Sequence, residues 1–216
     1  MCFLKINRII IKARKMKQNI INEAVPLFIQ YGFKSVTIDD IALKMGVSKK
    51  TIYAHFTKKE TLVETCVFMH FDNVIDKILN ISKHSKDPII GLYQIKKEAL
   101  NHLSNEKNSP VYQLQKYYNN IYNKLKKMEF DALNGMFSRS IRKGIDMGLF
   151  RSDIDIDFVT RIFFNGIRGI KDIELFPIEE FKIDLLLLNF SEYHLRAICT
   201  DQGIGKLNEY KKELNI

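Results

Sequence analysis

The sequence predicts an all-α protein, with a small N-terminal domain of three helices followed by a larger helical domain. Two observations lead to this fold class. Residues 36–62, VTIDDIALKMGVSKKTIYAHFTKKETL, contain short amphipathic helices separated by turn residues. Beyond Leu62, apolar residues recur at helical spacing with few breaks and almost no strand-like alternation. We therefore divide the chain into residues 1–16, a basic arm, residues 17–62 and residues 63–216.

The charge of the chain is concentrated at its N-terminal end. The 216 residues carry a formal net charge of +9. Residues 1–64 hold 12 Lys and Arg against 5 Asp and Glu, whereas the remaining residues hold 22 against 20. This distribution favours an acidic partner for the first domain, because neutralising phosphates supplies most of the non-specific affinity for DNA. A solvated basic face without a partner is the alternative.

The arm, residues 1–16, mixes Ile9, Ile10 and Ile11 with lysine and arginine. It has too few consecutive apolar residues for a secretory signal and lacks a small-residue cleavage site. No other stretch approaches the roughly 18 apolar residues of a membrane span. We expect a cytoplasmic protein with no membrane partner, whose arm either enters a minor groove or is disordered. Met16 is an alternative start.

The first helix of the motif is bounded by a capping signal and a turn. Thr37 and Asp40 have the spacing of a capping box. Gly46 supplies the turn after the helix. The residues expected to face a core recur at helical spacing and are Ile38, Ile41, Ala42 and Met45.

The second helix has an outward face rich in polar residues. Ser48 is its expected N-cap, and Val47 and Ile52 are its apolar anchors. The side chains left pointing outward are Lys49, Lys50, Thr51, Tyr53 and His55. Thr57 with Glu60 forms a further capping signal before a long helix. This order of caps, helices and turn is the layout of a helix-turn-helix that reads DNA.

Residues from about 17 to 63 resemble the N-terminal domain of the TetR family of bacterial transcriptional regulators, of AcrR-like type. The matching motifs, in family order and spacing, are Leu27-Phe28, Gly32, Thr37, Ile41-Ala42, Gly46-Val47-Ser48, Tyr53-Ala54-His55-Phe56 and Lys59-Glu60-Thr61-Leu62. Pro26 departs from the pattern, and a proline inside a helix predicts a kink.

The resemblance implies a homodimeric regulator, most simply a repressor, that binds a palindromic double-stranded DNA operator and is released by a small-molecule effector. The residues it assigns to DNA are Thr37, Ser48, Lys49, Lys50, Thr51, Tyr53, His55 and Lys59. We expect Lys49, Lys50 and Thr51 to reach base edges. Thr37, Tyr53 and Lys59 are expected to hold phosphates. His55 either donates to a phosphate or packs beside the following helix.

The remainder of the chain is predicted to be helical. The expected helices cover residues 58–83, 88–103, 112–128, 129–147, 157–172 and 178–199, of which 112–128 and 129–147 are two helices or one bent helix. We expect the last two to form an intersubunit four-helix bundle, because they are apolar over more than one face. The residues assigned to this interface are Phe158, Ile162, Phe163, Gly166, Ile170, Phe181, Leu185 and Leu188. Burial within one chain is the alternative.

The middle helices carry many aromatic residues, and tyrosines supply hydroxyls to an apolar pocket. The residues assigned to a ligand pocket are Tyr93, Lys97, Tyr112, Gln113, Tyr117, Tyr122 and Phe137. Each of them is also compatible with an ordinary core or surface position. By resemblance, TetR-like regulators bind an effector among these helices.

The sequence contains no recognisable catalytic motif. It has no glycine-rich phosphate loop, nucleophile elbow or HExxH. Its cysteines, Cys2, Cys66 and Cys199, are too far apart to suggest a disulfide framework or a zinc site. We therefore expect no catalytic residue, metal or cofactor. The alternatives are a small-molecule carrier with a non-functional DNA head, a helical enzyme and a TetR-type activator.

Overall fold

The computed structural model describes residues 2–103 and 110–213, and it describes side chains for residues 11–98 and 112–213. These residues form α-helices joined by short connections, as the sequence predicts, and they include no β-strand beyond one isolated bridge between Phe150 and Cys199. The helices are α1 (Cys2–Tyr31), α2 (Ile38–Met45), α3 (Lys49–Tyr53), α4 (Lys59–His84), α5 (Pro88–Leu103), α6 (Pro110–Tyr117), α7 (Asn119–Asp146), α8 (Ile156–Gly169), α9 (Ile183–Ile198) and α10 (Asp201–Glu213).

The chain folds into two compact units. Unit 1 contains Met1–Asn73 and Asn105–Leu125, and unit 2 contains Val74–Ser104 and Lys126–Ile216. Two of the three boundaries fall within α4 and α7. Unit 1 therefore contains the three helices expected from the sequence, together with the first part of α4, α6 and the start of α7. In the part of the chain that the structure describes, every helix is too short or too polar to cross a lipid bilayer.

Unit 1 is organised around an apolar core contributed by all of its helices. The largest side chains that are at most 1% exposed are Ile20, Phe28, Ile41, Ile52, Phe56 and Leu62. Leu114 of α6 and Ile121 of α7 belong to the same core. Helix α1 continues through Pro26 to Tyr31, and it begins at Cys2, so residues 2–16 of the expected arm are helical. Met1 lies outside the described residues.

The turn between α2 and α3 forms as its local signals predict. The Thr37 hydroxyl oxygen accepts from the Asp40 backbone N–H, and the Asp40 carboxylate accepts from the Thr37 backbone N–H, which completes the capping box. Gly46 has a φ of 64°, a left-handed conformation that glycine adopts without steric cost. Ser48 caps α3 by accepting from the Thr51 backbone N–H at 3.1 Å. These bonds fix the orientation of α3.

Helix α4 starts without the predicted cap at Thr57. The helix begins at Lys59, and the backbone carbonyl of Lys58 accepts from the N–H groups of Thr61 and Leu62. The first helical turn is therefore one residue later than the Thr57–Glu60 spacing requires. The predicted bounds of 58–83 and 88–103 otherwise agree with α4 and α5.

Unit 2 has a separate core formed by α5, the end of α7, α9 and α10. Its most buried apolar residues include Ile89, Leu195, Ile198 and Leu207. Helix α10 was not predicted, and α9 begins at Ile183 rather than near residue 178. Helix α10 is held by a hydrogen bond from the Tyr210 hydroxyl to the buried Asp87 carboxylate. Gly203 allows close approach, because a Cβ there would lie 2.1 Å from the Leu149 carbonyl oxygen.

Candidate nucleic-acid interface

The outward face of α3 is the polar surface that the sequence predicts. Ile52 is fully buried in the core of unit 1, which turns the opposite side of α3 outward. Lys49 and Lys50 are exposed, Tyr53 is 42% exposed, and Thr51 is half-buried. Because their backbone is anchored by the Ser48 cap and by Ile52, these side chains are presented on a rigid helix. A helix of this kind can enter a major groove and contact base edges.

Lys49 forms an ion pair with Asp39 of α2. The Lys49 ammonium donates to the Asp39 carboxylate at 2.8 Å, and this hydrogen bond raises the pKa of Lys49. Both side chains of the pair are more than half exposed, so water and salt weaken the interaction. A DNA phosphate or a guanine acceptor can therefore compete with Asp39 for the ammonium.

Three of the other predicted contact residues are engaged within unit 1. The Thr37 hydroxyl donates to Asp40 Oδ2 at 2.7 Å, and the Ser48 and Thr51 hydroxyl oxygens are 2.8 Å apart. Such caps orient the backbone N–H groups at the start of α2 and α3, where anions are stabilised. His55 is half-buried after the end of α3.

Lys59 supports the corner between α1 and α2. Its ammonium donates to the Lys34 carbonyl oxygen at 3.1 Å, and burial together with the charge of Lys34 lowers its pKa. The backbone N–H of Lys34 donates to Gln113 Oε1 at 3.0 Å. The Lys34 peptide groups are thus held by one side chain from α4 and one from α6. Sequence spacing gives no sign of this, since Gln113 lies 79 residues after Lys34.

Only one of the side chains assigned to a ligand pocket, Phe137, lines a cavity in unit 2 that contacts α5, α7, α8 and α9. Tyr93 is 4% exposed in the core of that unit, while Lys97 on the same helix is exposed. Four others belong to unit 1: Tyr112, Gln113, Tyr117 and Tyr122. The residues assigned to the pocket from the sequence are therefore distributed over two units of the fold.

The cavity instead contains polar residues that the sequence reading did not select. Thr160 of α8 and His194 of α9 line it, together with Ser140 of α7. Thr160 is fully buried and His194 is 8% exposed. A polar residue on the apolar face of a helix was the signal available in the sequence, because such a group needs a partner when it is buried.

The residues assigned to a dimer interface divide between the surface and the interior of unit 2. Phe158 is 60% exposed, Ile162 44%, Phe181 39% and Leu185 51%. Gly166 and Leu188 are half-buried, whereas Phe163 and Ile170 are buried within the chain. Tyr193, which the sequence reading did not include, is 72% exposed on α9. Phe181, Leu185 and Tyr193 line one groove, and exposed apolar side chains grouped in this way commonly mark an interaction surface.

Within the described residues, His, Cys, Asp and Glu side chains form no group of three that could hold a metal ion. The buried thiols are not arranged for nucleophilic chemistry. Burial raises the pKa of Cys66 to about 12 and that of Cys199 to about 11, which disfavours their reactive thiolate forms.

A family model and curated relatives point to the same protein family. Residues 20–66 match the family model described as bacterial regulatory proteins, tetR family. The biofilm operon icaADBC HTH-type negative transcriptional regulator IcaR of Staphylococcus aureus (strain Newman) is 28% identical over 139 residues, which cover 61% of this chain and 70% of the relative. The protein of the same name from Staphylococcus epidermidis is 34% identical over 79 residues, covering 37% of this chain and 42% of the relative.

Solved structures agree on the fold. A transcriptional regulator from Saccharomonospora viridis in complex with choline has a TM-score of 0.70 at 20% identity, over 87% of this chain and 99% of the other. A TetR transcription regulator from Haloarcula marismortui has a TM-score of 0.68 at 18% identity, over 87% and 100%. With its helix-turn-helix in residues 20–66, the chain belongs to the TetR family of DNA-binding bacterial transcriptional regulators.

Proposed function

We propose that the protein is a transcriptional repressor that binds a palindromic operator as a homodimer and is released from it by a small molecule. DNA binding is supported chiefly by the outward face of α3. Lys49, Lys50 and Tyr53 are exposed on this face, and Ile52 on the opposite side is fully buried. The net positive charge of the first 64 residues supports the same partner.

Repression is supported by the curated relatives, both of which are named as negative regulators. A repressor needs no contact with RNA polymerase, since occupancy of the operator is enough to block access to a promoter. Repression therefore requires only that the protein binds its operator with sufficient affinity and that this binding can be reversed.

Dimerisation is supported by the exposed apolar side chains of α8 and α9. Phe158, Ile162, Leu185 and Tyr193 would be buried if these helices packed against their copies in a second chain. A two-fold axis then presents two α3 helices to two half-sites about one helical turn or more apart. The operator is accordingly an imperfect palindrome.

Regulation by a ligand is supported by the cavity in unit 2 and by the choline bound to the Saccharomonospora viridis protein of the same fold. A ligand releases DNA only if it binds the DNA-free conformation more tightly than the DNA-bound one. Helix α7 contributes Met136 and Phe137 to the cavity, and its first residues pack in the core of unit 1.

Two substitutions on α3 test the DNA assignment. Lys50→Ala is expected to lower discrimination among operators, because it removes a side chain placed to read base edges. Tyr53→Phe is expected to weaken all duplexes similarly, because its hydroxyl is assigned to a phosphate. Fluorescence anisotropy titrations against specific and scrambled duplexes measure both effects. Lys212→Ala, which makes the same charge change as Lys50→Ala at an exposed position of α10, is the control.

Salt provides a second readout of the same experiment. The parent protein should lose affinity steeply with salt, with a log–log slope near −0.9 per phosphate contact. If Lys50→Ala and Tyr53→Phe both bind like the parent and like Lys212→Ala, the assignment of α3 as the reading helix is wrong.

The dimer is tested by placing a charge on the exposed face. Ile162→Glu together with Leu185→Glu should convert a dimer to a monomer in sedimentation equilibrium, because a buried unpaired carboxylate is strongly unfavourable. Leu43→Glu, at an 84% exposed position of α2, is the matched control and should remain dimeric. A parent protein that is monomeric at micromolar concentration contradicts this part of the proposal.

A further inference from the structure

A small, partly open cavity in unit 2 is lined by residues of α5, α7, α8 and α9. Its volume is about 30 Å³. The wall is mostly aliphatic and aromatic, with Phe137 and Phe163 in tilted contact at 4.6 Å between ring centroids. Cavities of this composition stay dry or hold apolar molecules unless a polar group attracts water or a ligand.

One polar atom in the wall has no partner in the described structure. Thr160 is fully buried, and its Oγ1 makes no hydrogen bond. A hydroxyl can donate one hydrogen bond and accept others, so Thr160 has its full capacity available. Most buried hydroxyls are paired with protein or with ordered water, and an unpaired one requires an explanation.

His194 adds a second polar group to the same wall. Its ring lies 4.9 Å from the ring centroid of Phe163 and 6.1 Å from that of Phe190. Burial lowers the pKa of His194 to about 4, so the imidazole is neutral near pH 7. A neutral imidazole provides one donor and one acceptor.

Among the residues that the structure describes, none that lines the wall carries a charged side chain near neutral pH. Beyond Ser140, Thr160 and the neutral His194, the described lining is apolar. An ion entering the cavity would lose its hydration without an opposite charge to compensate, which is strongly unfavourable. The aromatic rings offer a weaker attraction to cations, which makes a quaternary ammonium the most informative competitor.

We infer that this cavity binds a small uncharged molecule, mostly apolar and carrying one hydroxyl or carbonyl group that hydrogen-bonds to Thr160. The inference rests on the proposed function in one respect, namely that this molecule is the effector that releases DNA. The present volume is comparable to one water, so a larger ligand displaces side chains of the wall. Met136 is suited to this because its unbranched side chain adapts its shape.

Two probes of the same shape test whether the ligand of the cavity must be uncharged. The probes are 3,3-dimethyl-1-butanol and choline, which share a shape and a hydroxyl and differ in a central carbon or a charged nitrogen. We expect the alcohol to bind the full chain saturably and choline to bind at least about tenfold more weakly, because only choline brings a charge into the apolar wall. Calorimetry gives the affinities, and the methyl NMR signal of Met136, assigned with Met136→Leu, reports occupancy of the cavity.

Thr160→Val tests the hydrogen bond with little change in volume. The variant should bind the alcohol roughly fivefold more weakly, as expected for one lost neutral hydrogen bond. It should bind 2,2-dimethylbutane, which lacks the hydroxyl, as the parent does. Thr65→Val is the matched control, because the Thr65 hydroxyl donates to the Thr61 carbonyl at 2.8 Å in unit 1. Cooperative thermal unfolding of each variant establishes that it is folded.

The outcomes separate this inference from the proposed function. If choline binds as tightly as the alcohol, or Thr160→Val binds the alcohol like the parent, the assigned ligand class is wrong. If operator DNA is bound but the Met136 signal does not respond to the alcohol, the cavity holds water only and the inference fails while DNA binding stands. If the alcohol fills the cavity and operator affinity is unchanged, the site stands and release by this ligand class fails.

Discussion

Replacing Thr160 by valine should stabilise the protein. The Thr160 side chain is fully buried, and its Oγ1 has no hydrogen-bond partner among the described residues. Burying an unpaired hydroxyl costs about 1–3 kcal/mol, and valine fills the same space with a methyl group. We expect Thr160→Val to raise the free energy of unfolding by about this amount, and the melting temperature by roughly 2–4 °C per kcal/mol. A side chain that lowers stability is readily understood if its purpose is to bind a ligand.

Urea and thermal unfolding followed by circular dichroism provide the assay for Thr160→Val. Thr65→Val is the reference, since it deletes a hydroxyl that is already hydrogen-bonded and should leave stability unchanged or lower it. Both variants are compared without ligand, because a bound molecule adds its own stabilisation. A Thr160→Val protein less stable than the parent would refute the reasoning, because it would mean that the hydroxyl is hydrogen-bonded in solution.

Two further perturbations test other parts of the structure. Thr37→Ala should destabilise unit 1 by about 0.5–2 kcal/mol in urea unfolding, because it removes the N-cap of α2, while Ser35→Ala outside the cap should have little effect. Burial lowers the pKa of His194 to about 4, whereas an unfolded histidine titrates near 6.5, so the unfolded state takes up the proton first as the pH falls. Stability should therefore be complete above about pH 6.5 and decline by up to about 3 kcal/mol between about pH 6.5 and pH 4. His194→Gln should flatten that decline, and an unchanged pH profile would contradict the burial of a neutral His194.

Sequence reasoning was most successful where structure depends on local signals. The capping box at Thr37, the left-handed Gly46 and the Ser48 cap all involve residues within a few positions of one another. Their effects on the backbone are therefore readable along the chain. The orientation of α3 followed from them, because the buried Ile52 fixes which side faces outward.

The elements that were misplaced depend on distant contacts. Helix α10 contains Gly203 and Gly205, which weaken a helical pattern, yet Gly203 is needed where the Leu149 carbonyl comes close. The break between α6 and α7 falls at Tyr118 rather than near residue 128. Tyr118 packs on Phe33 and donates to its carbonyl, a contact 85 residues apart in the chain. No local pattern indicates either contact.

The candidate sites also include features that local sequence signals predict and features that depend on distant contacts. Exposure on α3 follows helical periodicity, whereas the role of Lys59 depends on the Lys34 carbonyl 25 residues earlier. Of the tyrosines assigned to the pocket from the aromatic content, Tyr93 belongs to the core of unit 2 and Tyr122 packs against the core of unit 1. Thr160 and His194 line that cavity, and a polar residue on an apolar helix face is a sequence signal of this kind, because it must find a partner when it is buried.

Selection of bound DNA from a random duplex pool tests the central claim most directly. The protein is predicted to enrich an imperfect palindrome whose half-sites are separated by about one helical turn or more, as two α3 helices related by a two-fold axis require. The same selection with Lys50→Ala should return a less constrained sequence. A pool in which no sequence is enriched, or in which the enriched site has no two-fold symmetry, would contradict the account.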